Sequence, residues 1–424
     1  MTNPGQSDRP MRTTQTTESR NGISLRWPAA VFLLTLIAIF SRLPGALLHP
    51  QFFAEDGWVW YQQAYNLHWL RSLAIPQAGY LQTLPRLVAG VTLLFPMQWA
   101  PFLMNLAGAV IQALPVTALL ARRCAPWGPL STRILMAALY LAIPDAPEVH
   151  IVLTNAMWHL AVLQALLAFA LPPLSWRGRV CDSLLFAIGG ISGPFCILLF
   201  PSVVVYWWIR RRRWTLAVIA WMVLGVVIQV LCILHAARAP GAPLGITPIR
   251  LLRIVAGSIF IDSMIGGGGS SLPTPLLLLA ALAGMAIMVW AWLTAPLALR
   301  AYIAFAVFAL AASLRDPLLL PGAAPRWEVL AGAPGIRYWF LPSLMFLWSA
   351  AWCALGGSTR LVRYAGWSVL LLVMIGMARK WVYPSWPQSH FSADVARFHT
   401  LQPGQHMIFS VYDPGGRTME LVKR

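Results

Sequence analysis

Two adjacent carboxylates, Glu55 and Asp56, open the most chemically suggestive stretch of this chain, FFAEDGWVWYQQAYNLHWLRSLAIPQAGYLQTLPRLVAG over residues 52–90. Trp58, Trp60, Tyr61, Tyr65 and Trp69 follow, then Tyr80 and Arg86. The pair stands just beyond a long apolar run, where a helix leaves an apolar medium for water. A carboxylate there can take a proton from a hydroxyl as general base, provided burial and neighbours tune its pKa. The same residues admit a structural reading, with Asp56 capping a helix that starts at Gly57 and the aromatics forming an interfacial belt.

A second group lies in DAPEVHIVLTNAMWHLAVL, residues 145–163. Glu148 and His150 precede an apolar run, and Asn155 and His159 stand four apart, on one helical face at its start. They are candidates for substrate contact, and Glu148 with the two histidines has the donor types of a metal site. The alternative is a hydrogen-bonded helix entrance, because polar groups at such a depth must be paired or face a cavity. A third group is the set Arg238, Arg250, Arg253, Arg315, Arg326 and Arg337. Arginine binds phosphate through two parallel hydrogen bonds. Arg337, in GIRYWFLPSL at the start of an apolar run, is the best placed, with snorkelling to a lipid headgroup as the alternative.

The elements that must position these residues follow from composition. Of 424 residues, 58% are hydrophobic and 10% charged, against about 25% charged in soluble chains. Mean hydropathy is +0.67. A soluble or disordered chain is excluded. The net charge of +18 comes from 31 basic residues scattered between apolar runs, so no basic domain offers itself to nucleic acid. The five cysteines are dispersed without a CxxC, which argues against a disulfide framework or zinc site. Gly266–Gly269 is not followed by Gly-Lys-Ser/Thr, and no G-x-G-x-x-G after a strand, GxSxG or HExxH occurs. A sugar donor, if there is one, must therefore be lipid-linked rather than bound by a soluble nucleotide-sugar domain.

The expected fold is an all-α polytopic membrane protein with about eleven transmembrane helices. Residues 1–26 read as a disordered cytoplasmic tail and 27–380 as the membrane domain, with 48–100 as its long first external loop. Residues 381–424 read as a small external segment containing a β-hairpin around Asp-Pro-Gly-Gly. Spans are expected from Trp27 to about Leu48 and at about 101–121, 132–144, 154–173, 182–192, 195–209, 214–235, 274–295, 298–314, 337–356 and 362–379. Residues 84–95 are expected to lie in the interface or re-enter, and 236–273 to form a Gly/Pro-rich external loop. With the N-terminus inside, arginines 122, 123, 133, 177, 179, 210–213, 300, 360 and 363 all fall in cytoplasmic loops. The acidic residues between Glu55 and Glu420, except Asp182, fall outside.

In this order of features the chain resembles a polytopic glycosyltransferase of the GT-C structural class. The likeness covers most of the chain: one span, a long external loop opening with acidic residues (here AEDG), a many-helix core and a small external C-terminal part. The segments AGYLQTLPRLVAG, LTNAMWHLAVL, ISGPFCILLFP and GIRYWFLP are similar to those of bacterial membrane proteins grouped near that class. The resemblance implies a multi-pass protein of the bacterial cytoplasmic (inner) membrane, with an internal N-terminus and an external C-terminus. It implies a polyprenyl-phosphate sugar donor, with Asp56 or Glu55 as the base that activates an acceptor hydroxyl. Arg337 or Arg86 would then meet the departing lipid phosphate, and Tyr80, Glu148, His150, Asn155 and His159 would line the substrate site. Some members of the class use a divalent metal, Mg or Mn, at this loop, but no second acidic pair marks a metal site here. The small tail points to a glycan or lipid acceptor. The rival readings are a transporter or flippase for a lipid-linked or anionic substrate, an O-antigen ligase or polymerase, and a non-catalytic scaffold.

Overall fold

An apolar medium offers backbone N–H and C=O groups no partner, so the Leu-, Val- and Ala-rich runs close their hydrogen bonds within themselves as helices. The computed structural model describes residues 26–236, 241–319, 324–333 and 335–424. Eleven helices of thirteen or more residues stand among them. They are α1 (Arg26–Arg42), α2 (Ala100–Leu120), α3 (Leu130–Ala142), α4 (Ala156–Ala168), α5 (Trp176–Gly190), α6 (Phe195–Arg210), α7 (Arg213–His235), α8 (Thr274–Thr294), α9 (Leu297–Arg315), α10 (Phe340–Gly356) and α11 (Arg360–Lys380). Six helices, at Met97–Leu120, Arg213–His235, Thr274–Thr294, Leu297–Arg315, Arg337–Gly356 and Arg360–Lys380, are long and apolar enough to cross a membrane. The expected tail, residues 1–26, lies outside the described residues except for Arg26, as does Arg238.

Most successive helices are joined by short connections, while longer ones separate α1 from α2, α7 from α8 and α9 from α10. Arg42, at the end of α1, reaches carbonyls at the end of α3 and just beyond α11. Arg123, just beyond α2, reaches Leu171 just beyond α4 and pairs with Asp182 in α5. Among the described residues one end of the bundle is arginine-rich, with Asp182 as its acidic residue, and the other, which includes Arg42, gathers the remaining acidic residues, the first loop and the C-terminal segment.

Two expectations need correction. The run from Trp27 to Leu48 is not one helix: α1 stops at Arg42, and a single turn, Gly45–Leu48, follows Pro44. Proline lacks the N–H that would continue the ladder. Residues 236–273 are not simply a loop, because Pro248–Leu252, Arg253–Ile261 and Asp262–Ile265 form consecutive helical turns. Their centre is buried against α8 and α10: the Phe260 and Phe346 rings lie 4.6 Å apart, and Gly284 of α8 leaves room for Phe260. The 84–95 segment contains a ten-residue helix, Thr83–Thr92, about 15 Å long. That is half the thickness of a bilayer core, so it cannot span.

Every helix ends with carbonyls that lack intrahelical partners, and arginine meets many of them here. Buried Arg133 donates to Leu119 and Ala121, at and just beyond the end of α2, and to Gly128. Buried Arg42 donates to Leu141, Ile143 and Trp381, with its guanidinium 4.2 Å from the Tyr383 ring centroid. Arg212 meets Ala170 beyond α4, and Arg300 meets Ala295 beyond α8. A fork of five donors can join two or three carbonyls at once, which a lysine ammonium on its flexible stem cannot match. The sequence accordingly has 29 arginines but only Lys380 and Lys423.

The C-terminal segment runs from Tyr383, whose N–H donates to Arg42 O, through a helix, Phe391–His399, to an antiparallel pair, His406–Phe409 with Met419–Val422. It packs on the first loop. Glu420 N donates to Gln62, Val422 N donates to Asn66, and Gln51 bonds to Pro387 and Ser389.

Arg42→Lys should lower stability by roughly 2–4 kcal/mol, since it removes at least one charged hydrogen bond and leaves buried carbonyls unpaired. Unfolding in detergent, compared with Arg363→Lys at an exposed position, checks this. A loss below about 0.5 kcal/mol would remove Arg42 as a helix-end fastener.

Candidate functional site

The first loop turns inward at Phe52 and Phe53, both buried. Ala54 adopts φ +44°, a left-handed conformation unusual for a residue with a Cβ. Its N–H donates to Tyr412 O at 2.7 Å. A π-helical stretch, Asp56–Tyr61, follows. Gly57 packs so tightly that a Cβ there would lie 2.7 Å from Val411 and 3.1 Å from Phe52. Glycine is what lets this turn sit under the C-terminal segment.

This geometry places Asp56 inside the protein, 0% exposed. Its side chain does not cap a helix, contrary to the structural reading of the sequence; it sits within the π-helical turn. The Thr154 and Leu153 amides face it, but neither carboxylate oxygen completes a hydrogen bond among the described residues. Burial first, and then the neighbouring charge of Glu55, hold its pKa well above the usual carboxylate range, while those two amides act the other way. Glu55 is only partly buried.

Arg86 is also 0% exposed. Its guanidinium lies 4.8 Å from the Trp60 ring centroid, and Nη1 donates to Gln63 Oε1 at 2.7 Å. Nε and Nη2 have no hydrogen-bond partner among the described residues, and burial pulls the pKa down to about 10. Trp60 Nε1 in turn donates to Thr154 Oγ1 at 3.2 Å. A buried carboxylate and a buried guanidinium thus flank Trp60 and Thr154 without pairing with each other. Trp58 Nε1 and Gln82 Oε1 in the same loop are buried and unpartnered too. Such groups are costly and rare in folded proteins, and their concentration in one loop marks it as a candidate site.

Beside this loop lies a cavity of about 380 Å³. Met157, Phe195, Leu198, Ile233, Ala309 and Ala312 supply apolar wall, and Tyr80, Arg315, Asp316, Arg337 and Tyr338 supply the polar groups. The polar ones cluster at the end of α9 and the start of α10, and the wall continues down α9 to Ala309, about 9 Å at helical rise. One stretch of chain connects the two places: residues 153–154 face Asp56, and Met157 and Trp158 line the cavity.

The sequence candidates therefore divide into three. Glu55, Asp56 and Arg86 belong to the buried loop cluster. Tyr80 and Arg337 line the cavity, and Glu148 reaches it through Arg337. Glu148 takes both the Arg337 backbone N–H and its guanidinium, and Arg337 Nη2 donates to Leu318 O at 3.1 Å. The third set forms a helix entrance. Asn155 Nδ2 donates to Glu148 O. His150 Nε2 meets Ile39 O and its Nδ1 meets Gln112. His159 Nε2 meets Val149 O and its Nδ1 meets the Tyr140 hydroxyl. Burial, and then the charge of Arg42, push His150 down to about 3, so it is neutral. With both nitrogens of each imidazole engaged, neither has a lone pair to give a metal. Among the described residues no three His, Cys, Asp or Glu side chains converge. Glu148 with His150 and His159 therefore does not form a divalent-ion site.

One residue rises in importance. Arg315 closes α9 at the cavity and is exposed, and its side chain has no hydrogen bond or ion pair among the described residues, whereas Arg337 is held by Glu148. The sequence signal was its place as the last residue of an apolar run, just before Asp316-Pro317. No family model matches this chain, and no curated protein does.

Asp56 also carries a stability signature. A carboxyl whose folded pKa is raised contributes fully at low pH, and that contribution is lost as pH rises through the folded value. Asparagine stays neutral throughout. Asp56→Asn should therefore gain thermal stability relative to the parent protein as pH rises from about 5 to about 9. Melting curves across that range check it; a gap that does not widen with pH would show that Asp56 is not buried as described.

Proposed function

We propose that the chain is a membrane glycosyltransferase that moves a sugar from a polyprenyl-phosphate donor to a hydroxyl of a glycan or lipid acceptor. The observation that carries this reading is the unpartnered carboxylate of Asp56 one turn of chain away from an apolar cavity with a free cation, Arg315, at its polar end. An isoprenoid chain suits the apolar wall, and a phosphate suits the cation.

In the proposed reaction the acceptor hydroxyl loses its proton to an Asp56 oxygen. Its oxygen forms a bond to the anomeric carbon as the bond from that carbon to the phosphate oxygen breaks. The bonding pair leaves with the lipid phosphate, whose growing negative charge Arg315 stabilises where it develops. Glu148 holds Arg337 in place beside Arg315, and Tyr80 borders the same cavity. Arg86 is the loop's buried cation, lodged against Trp60. Glu55 acts on Asp56 through its charge.

The eleven long helices are read as eleven spans, with the arginine-rich end in the cytoplasm of a bacterial cell and the acidic end, the first loop and the C-terminus outside. Donor and acceptor then meet at the external face of the inner membrane.

Asp56→Asn should keep the protein inserted and stable while reducing sugar transfer at least about 100-fold. Glu55→Gln should lose less. Transfer should rise with pH along a limb set above the ordinary carboxylate range, because the base works ionised and burial resists ionisation. Arg315→Gln should lower kcat/KM for the lipid donor by about 10–100-fold, while Arg210→Gln at the opposite end leaves it within about twofold. Steady-state transfer with purified, reconstituted protein checks all four. Near-parental transfer by Asp56→Asn would remove the base.

A further inference from the structure

The carboxylate that the proposed reaction opens to an acceptor is enclosed, and part of the enclosure comes from the far end of the chain. Tyr412 brackets the loop from both sides: its N–H donates to Phe52 O at 3.2 Å, and its carbonyl accepts from Ala54 N at 2.7 Å. The Tyr412 ring meets Phe53 edge-on at 5.6 Å between centroids. Val411 presses on Gly57, immediately after Asp56. Arg417, paired with Asp413, lies with its guanidinium 4.2 Å from the Trp58 ring centroid.

These contacts all come from residues 410–418, the connection between the two paired strands. The strands themselves are anchored elsewhere. Met419–Val422 hangs on Gln62 and Asn66 through backbone hydrogen bonds, and Phe409 packs on Phe391 and Phe398. The connection carries Gly415 and Gly416, the latter at φ +70°, and its tip is exposed. It can therefore rise without breaking the strand pair. On the loop side, the strained φ of Ala54 sits two residues from Asp56. Strain of this kind persists only where surrounding contacts hold it, and the Tyr412 carbonyl is such a contact. Raising the connection would free Ala54 to relax.

We propose that residues 410–418 form a strap over the candidate base: lowered, it fixes residues 52–58 and covers Asp56, and raised, it opens Asp56 to the acceptor. The proposal rests on the reading of Asp56 as general base. In the raised state Val411 leaves Gly57, and the Phe52 and Ala54 hydrogen bonds to Tyr412 open together. Closure over a bound acceptor would then exclude water from the transfer step.

The test is a removable lock. Phe53 and Tyr412 are paired residues across the bridge, so Phe53→Cys with Tyr412→Cys, with Cys181 and Cys232 changed to Ser, allows a disulfide. Two readouts are followed in the full-length protein, oxidised and then reduced. One is carbodiimide labelling of Asp56, located by mass spectrometry; the other is sugar transfer. The expected result is that oxidation lowers Asp56 labelling at least about tenfold and lowers transfer with it, and that reduction restores both. Val411→Ala, which needs no cross-link, should raise labelling about threefold or more. Asp56 labelling that is the same in the oxidised and reduced proteins and in Val411→Ala would overturn the strap. Labelling that follows the lock, while Asp56→Asn still transfers sugar, would uphold the strap and remove the catalytic reading instead.

Discussion

Helix ends in an apolar medium leave carbonyls that nothing but the protein itself can satisfy, and the architecture here depends on meeting that demand. The guanidinium fork is the recurring answer. Arg42 fastens the end of α1 to the end of α3 and to the chain beyond α11, while Arg133 fastens the start of α3 to the end of α2. Each joins elements distant in sequence at a point where a charged donor forms strong hydrogen bonds. Because Arg42 also holds the backbone that leads to Tyr383, the same fastening sets where the C-terminal segment begins its path to the first loop.

Against that background the first loop stands out. Among the described residues Arg42 and Arg133 find several acceptors each, but Arg86 keeps two nitrogens unpartnered and Asp56 keeps both oxygens so. A carboxylate and a guanidinium that fail to meet inside a protein cost stability that either hydrophobic replacement or direct pairing would recover. Retaining both is the pattern expected where polar groups serve chemistry rather than folding. The neighbouring cavity has the complementary character, apolar in its wall and with the charged side chains Arg315, Asp316 and Arg337 at one end. An amphiphile with an anionic head is the kind of molecule that both features suit.

Much of the helical layout was legible in the sequence, because apolar runs of sufficient length have one way to satisfy their backbones. The helical turns at 248–265 were not, since glycines and prolines at both flanks resemble loop punctuation and the apolar stretch between them is short. Asn155 and His159 could be read as sharing a helix face, but Gln112, Tyr140 and Ile39, which occupy the two imidazoles, are close only in the fold. The pairing of Arg337 was hidden for a related reason: nothing local shows that Glu148, 189 residues away, holds it. The burial of Asp56 was out of reach in the same way, because Val411 and Tyr412, which pack on its neighbours Gly57 and Ala54, come from the other end of the chain. The preference for arginine over lysine was plain in the composition, but its meaning needed the carbonyls in view.

The central claim is that an anionic isoprenoid lipid occupies the cavity beside Asp56. A cryo-electron microscopy structure in lipid nanodiscs, with polyprenyl phosphate added, addresses it directly. The account predicts phosphate density within hydrogen-bonding reach of Arg315 and a chain running along α9 past Ala312 and Ala309. A lipid phosphate bound at the arginine-rich end instead, with the cavity beside Asp56 free of chain density, would contradict it.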